Sequence, residues 1–272
     1  TYVSNKVVTL YLATPDNLDD AYNLFTVLNS RGVQLQVGDI LRAQNLRSIE
    51  NDEKRKKYAE MWIDFGNKID TPYRSFDDFL WALVHIKMKY RSDDNLNLTK
   101  AFNFMYHREY IKKGIPTFEF VGTYVGHYKA IANQEIELKE AGQLFSNLIM
   151  ILNSVFGNQY LAPLMHYRQC FGDYRILDFL IKLDNLLSVM WLTGKRTVQT
   201  RIFIILRKMD DLVLENKGDV RLIADAFLSS DLLKYEYDDD KASTIVEIEE
   251  FFDMITNEDW GNYAGTRINK TR

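Results

Sequence analysis

The sequence predicts an all-α fold, an irregular multi-helix bundle with a residual N-terminal strand, and three observations carry that prediction. Apolar residues recur at i, i+3, i+4 and i+7 in about ten segments, the spacing that gathers them on one helical face. Only 4 Pro and 13 Gly punctuate 272 residues, which is sparse for a sandwich or barrel that must turn every eight to twelve residues or so. The 16 Tyr and 16 Phe imply aromatic-rich packing between helices.

Val8, Leu10 and Leu12 alternate with Thr9 and Tyr11, the period of a strand, before Thr14-Pro15-Asp16-Asn17 turns the chain. A lone strand needs partners, so these are expected upstream. Thr1 in place of Met, and the ending Asn269-Lys270-Thr271-Arg272, likewise read as cuts through a longer protein.

Helical readings follow in order. Ala21, Leu24, Phe25 and Leu28 share a face, and Asn29 to Gly32 ends that helix. A second helix spans 37–48, a third starts at Asn51-Asp52 and runs through Tyr58, Met61, Trp62 and Phe65, and a fourth starts between Pro72 and Ser75. Further helices fit 99–113, 118–133, 138–155, 158–171, 174–193, 197–215, 219–230 and 242–255. The segment 174–193 is apolar nearly all round and is expected at the centre of the core. Ile202-Phe203-Ile204-Ile205-Leu206 could pass for a buried strand, but Val198, Ile202, Ile205, Met209 and Leu212 keep helical spacing around it. The acidic run Glu236-Tyr237-Asp238-Asp239-Asp240 reads as a solvated loop; it lacks the spaced oxygens, turn Gly and terminal Glu of a calcium loop.

Composition narrows the class of protein. The single cysteine, Cys170, rules out an intramolecular disulfide and a four-thiolate zinc site, and fits a reducing compartment such as the cytoplasm. A net charge of -4 gives no global attraction to nucleic acid, so DNA contact would need local basic patches. The segment 143–165 has no charged residue, yet Ser146, Asn147, Asn153, Ser154, Gly157, Asn158 and Pro163 interrupt it, so two buried helices are expected rather than a membrane span. No secretion signal opens the chain.

Catalytic templates fail one after another. His85, His107, His127 and His166 are scattered singly, with no pair of histidines at the i, i+4 spacing that grips zinc, and each reads as a surface or satisfied core residue. There is no Gly-x-x-x-x-Gly-Lys phosphate loop and no Gly-x-Ser-x-Gly nucleophile turn. Cys170 beside Phe171 in a helical run reads as a small buried apolar residue. Glu135-Ile136-Glu137-Leu138-Lys139 imitates half of a nuclease metal site, but no Asp occurs between Asp94 and Asp173 to supply the other half. No catalytic residue and no metal ligand is therefore expected.

Basic clusters are the remaining polar signal. Arg42 with Arg47, Lys54-Arg55-Lys56-Lys57, Lys87 with Lys89 and Arg91, Lys112-Lys113 and Lys195-Arg196 could face phosphates. The plainer reading places them on the wet faces of amphipathic helices.

The most informative stretch is 21–42, AYNLFTVLNSRGVQLQVGDILR. It resembles the helix, Leu-Asn-x-Arg-Gly turn, Leu and Asp-Leu/Ile-hydrophobic-Lys helix of the bacterial proteins grouped as domain of unknown function 262, with Asn29, Arg31, Gly32, Leu35 and Asp39 matching together. That family includes the GmrSD-type modification-dependent restriction endonucleases and, at its N-terminal end, resembles the ParB fold. Its Asp-Gly-Gln-Gln-Arg-type nucleotide motif lies upstream of this point and a His-containing nuclease domain often lies downstream; neither occurs in this sequence.

The resemblance implies the C-terminal end of a ParB-like domain over 1–50 and a helical domain over 51–272. It further implies a link between a nucleotide-dependent part and an effector nuclease in restriction or phage defence, with DNA and the flanking domains as partners. Asn29, Arg31, Asp39 and Arg42 are the candidate ligand or DNA contacts. Nucleotide and divalent metal would belong to the longer protein, and no cofactor is expected in this chain. The rival readings are a purely structural or protein-interaction domain and a part of a nucleotide-hydrolysing enzyme.

One departure has a physical cost. Where the family has Ser or Thr, this chain has Gln36, which caps a helix poorly, although Asp39 still favours the helix N-terminus through the dipole. Gly38 replaces a better helix former. Asn29 and Gly32 read equally well as helix-ending residues, Arg31 as a solvent or carboxylate partner, and Leu28 and Leu35 as buried anchors of the turn.

Overall fold

The computed structural model describes residues 37–71, 74–90, 97–132, 136, 138, 141–192, 197–215, 218–239 and 242–246, the last strand pair and residue 192 by backbone alone. The described chain is an all-α bundle with one hairpin at its end. Its helices are α1 (Val37–Leu46), α2 (Asp52–Ile69), α3 (Phe76–Met88), α4 (Leu98–His107), α5 (Ile115–Ala132), α6 (Gly142–Phe156), α7 (Leu161–Phe171), α8 (Ile176–Leu192), α9 (Val198–Glu215) and α10 (Val220–Leu228). None of them is long and apolar enough to cross a membrane, and the uncharged stretch from 143 divides into α6 and α7 as the sequence implies. The strand expected at Val8 to Leu12 lies outside the described residues.

Local caps start several helices where the sequence places them. Asn51 accepts the Lys54 amide, Asn97 the Lys100 amide and Asp219 the Arg221 amide, while Ser75 and Asp78 form a reciprocal capping box on α3.

The N-terminus of α1 is capped differently. Asp77, on the first turn of α3, accepts from the Gly38 amide at 2.8 Å and the Val37 amide at 3.0 Å. A carboxylate 39 residues away in sequence thus does the work that a local Ser or Thr would do. Gly38 belongs to the same arrangement, because a Cβ there would lie 3.2 Å from both Asp77 Oδ1 and the Phe76 ring. The small residue that weakens helix propensity is what lets α3 approach. Asp77→Ala is expected to destabilise the fold by about 1–2 kcal/mol, measured by urea denaturation, because two amides lose a charged acceptor at once.

Asn45 fixes the other end of α1. Buried completely, it donates to Leu41 O and to the Tyr106 hydroxyl and accepts the Gly114 amide at 2.9 Å, so α1 is joined to α4 and to the start of α5. Gly114, at φ +86°, supplies the left-handed backbone this turn needs.

The core is one continuous apolar cluster running from Leu41 to Leu233. At one end Trp62 meets Phe76 and Phe118 edge-on, each at 5.3 Å between ring centroids. At the other, Tyr167 stacks on Phe179 at 4.5 Å, and Phe227 packs against both and against Phe171.

The centre of that core differs from the expectation. α8 does bury Ile176, Phe179, Leu180, Leu183, Leu186, Leu187, Val189 and Met190, but Trp191 stands half exposed at its end. The centre is shared by α3, which touches α1, α2, α4, α5, α7 and α9, and the shorter α7, which touches α3, α5, α8, α9 and α10. The polar residues of α7 disguise it: every residue from Leu161 to Tyr167 is buried, His166 and the Tyr167 hydroxyl included, because both find internal partners.

The second correction concerns the C-terminal end. Tyr235–Asp239 and Ala242–Val246 form an antiparallel pair, with Tyr235 opposite Val246 and Asp239 opposite Ala242, where a loop and a helix from 242 are expected. Tyr235 and Tyr237 pair with Val246 and Thr244, and Glu236 with Ile245, and aromatic and β-branched residues favour a pleated strand over a helix.

Candidate functional site

A polar constellation inside the bundle is built on α7 and α9. His166 Nε2 lies 2.7 Å from Asp210 Oδ1, its Nδ1 lies 3.0 Å from the Tyr124 hydroxyl, and Cys170 Sγ, one turn along α7, lies 3.6 Å from the same Nε2. Lys89, the left-handed C-cap of α3, reaches in to pair with the second oxygen of Asp210.

The hydrogen bonds assign the protons. Burial pushes the Tyr124 phenol up, so it stays protonated and donates to Nδ1. Nε2 then carries the imidazole proton and donates it to Asp210. Burial, reinforced by Lys89 and Lys87, pulls His166 down to about 3, and burial draws the Lys89 ammonium down to about 8. Burial also raises the Cys170 thiol to about 11, so it remains a thiol at neutral pH.

These states decide what the cluster does. A nucleophile–base pair would need a thiol whose proton the imidazole can take, and here the nearer nitrogen is already protonated and committed to Asp210. His166, Cys170 and Asp210 offer three ligand atoms within 4.8 Å of one another, the geometric minimum for a metal. The Lys89 ammonium, however, already neutralises the carboxylate that would have to hold the ion. The cluster is a satisfied ion pair that ties α3, α5, α7 and α9 together.

Acid should therefore weaken the fold. His166, His127 and His85 all sit below their ordinary value of 6.5, burial being the first cause in each. They are neutral in the folded chain and protonate more readily in the unfolded one, so their contribution is intact above about pH 6.5 and declines towards pH 3. From pH 7 to about pH 4.5, His166 alone is expected to remove roughly 3 kcal/mol, and His166→Gln should flatten that part of the melting-temperature profile.

The residues singled out by the motif fall on both sides of the described region. Leu28, Asn29, Arg31 and Leu35 lie outside it. Asp39 and Arg42 lie on the first turns of α1 and pair with each other at 3.5 Å, both partly exposed. Their position places the end of the motif beside the Asp77 cap.

The basic clusters divide. Lys89 turns inward onto Asp210, and ring contacts hold Lys87 over Phe120 at 5.0 Å and Lys113 over Tyr106 at 5.3 Å. Arg55 is engaged by Asp52 and by the Ile49 carbonyl. Lys54, Lys56 and Lys57 are exposed on α2. Arg47 and Lys113, far apart in sequence, line one open cleft of about 320 Å³ with Gln44 and Ser48. Arg91, Lys195 and Arg196 lie outside the described residues.

Two features escaped sequence reasoning. His166 and Cys170 are an i, i+4 pair, visible in principle once histidine is paired with cysteine instead of with histidine. Arg74 is 6% exposed and bonded to Asn153, Asn158 and Tyr160, and no local pattern announces it. A scan of protein-family models, a search of curated proteins and a search of solved structures each returned no match.

Proposed function

We propose that the chain is a non-catalytic helical module of a bacterial, cytoplasmic DNA restriction or phage-defence protein. It joins a ParB-like, nucleotide-dependent part to an effector nuclease and contacts DNA through the Arg47 and Lys113 cleft. The 21–42 motif supplies the family side of this reading. The observation that carries it is the attachment of the motif's last helix: Asp77 and Asn45 hold α1 at both ends and fix it on the bundle. The His166 cluster, its protons already assigned to structural bonds, leaves chemistry to the flanking domains.

Fluorescence anisotropy with a labelled DNA duplex tests the DNA contact. Binding is expected at about 50 mM salt, and Arg47→Ala or Lys113→Ala should each weaken it and lower the salt-dependence slope by about one. No anisotropy change at low salt removes DNA from the proposal. Nucleotide hydrolysis or DNA cleavage by the purified chain, lost on a single substitution within it, would remove the non-catalytic assignment.

A protein-interaction module is the second reading, supported by Leu144, Ile151 and Val155, which are half exposed on one stripe of α6. Under it the DNA titration is flat.

A further inference from the structure

Arg74 is a buried cation with no counter-charge among the described residues. It sits in the connection between α2 and α3, where its backbone pairs with Thr71 in both directions. The guanidinium Nε donates to Asn158 Oδ1 at 2.9 Å and Nη2 to Asn153 Oδ1 at 2.8 Å, with the Tyr160 hydroxyl at 3.4 Å. The rings of Tyr128 and Tyr160 flank it at 5.3 and 5.8 Å. All of these partners are neutral, and so is Tyr128, whose side chain also hydrogen-bonds the guanidinium. Burying a full charge on neutral dipoles alone is costly, and proteins meet that cost with an anion.

Space for one is present. A cavity of about 360 Å³ opens beside Arg74, between α5, α6 and α7, and its remaining wall is mainly apolar, including Ile131, Ile149 and Leu161 with the two tyrosine rings. That volume lies in the range of small-ligand sites, and the layout of one cation at one end of an apolar chamber is that of a site for an amphipathic monoanion. A carboxylate carries the single negative charge that answers one guanidinium. A phosphate dianion would bring a second charge that no other cation among the cavity-lining residues answers.

We infer that this cavity binds a small carboxylate bearing an apolar body, held by Arg74 and sandwiched by Tyr128 and Tyr160. The inference is independent of the DNA reading, since the cavity and the Arg47 cleft share no residue.

Isothermal titration calorimetry of the purified chain with acetate, hexanoate, benzoate and inorganic phosphate tests it. Hexanoate or benzoate should bind at least tenfold more tightly than acetate, and phosphate should give no saturable heat. Arg74→Gln, which keeps a donor for the asparagines, should weaken carboxylate binding at least tenfold. Ala132→Phe, at an exposed residue lining the cavity, should block binding while leaving Arg74 in place. Circular dichroism establishes that each variant is folded. Absence of carboxylate binding to the folded wild-type chain, phosphate bound more tightly than benzoate, or affinity unchanged in both variants overturns the inference.

Discussion

Phe179→Ala should lower the stability of the bundle by about 4 kcal/mol, seen as a fall of roughly 10 °C in melting temperature. Phe179 is wholly buried, stacks on Tyr167 at 4.5 Å and touches Phe227 at 5.7 Å, so truncation opens a void at the meeting point of α7, α8 and α10. Relaxation offers little relief, because Tyr167 is held in place by its hydroxyl on the Tyr174 carbonyl at 2.8 Å. The internal control is Leu222→Ala on α10, whose side chain is 69% exposed and whose loss should change stability by less than about 0.5 kcal/mol. Equal effects of the two substitutions in thermal melts would show that the aromatic stack is not the centre of this end of the core.

Asp210→Ala should cost about 3 kcal/mol, the lower end of the range for breaking a buried ion pair, since Asp210 itself is partly exposed. The loss comes less from the attraction than from what is left behind: a Lys89 ammonium that is only 14% exposed and a His166 Nε2 proton with no acceptor. Removing both charges separates these effects. Lys89→Met with Asp210→Leu should recover the part owed to the stranded ammonium, because methionine meets the same backbone at φ +54°, and should leave the part owed to the His166 Nε2 proton. Chemical denaturation of the two single variants and the double variant gives the coupling directly. A coupling below about 0.5 kcal/mol would mean that Lys89 and Asp210 are not partners in solution.

Legibility in the sequence followed the range of the interactions. Helix starts at Asn51, Ser75 and Asp219 could be read because a cap and its amide lie within three residues of each other. Helical spacing likewise revealed α9 through Ile202, Ile205, Met209 and Leu212 despite its strand-like run. What escaped was non-local. His166 and Asp210 are 44 residues apart, and Arg74 and Asn158 are 84 apart, so no window along the chain contains either pair. The central place of α7 was missed for a related reason: its polar side chains count against burial until their partners on other elements are known. The hairpin at Tyr235–Asp239 was hidden by its acidic residues, which weigh against a strand more heavily than two alternating tyrosines weigh for it.

The borrowed cap on α1 carries a consequence for the order of assembly. The amides of Val37 and Gly38 find their acceptor only when α3 has already placed Asp77 beside them, so the first turn of α1 gains little until the bundle behind it exists. α3 has no such dependence, since Ser75 and Asp78 close its own first turn. The first turn of α1 thus depends on α3, and it is the natural first place to open in the native state. A pull transmitted through the upstream chain would be met there first, releasing the Asp77 contacts while the tyrosine and phenylalanine stack at the far end stays closed.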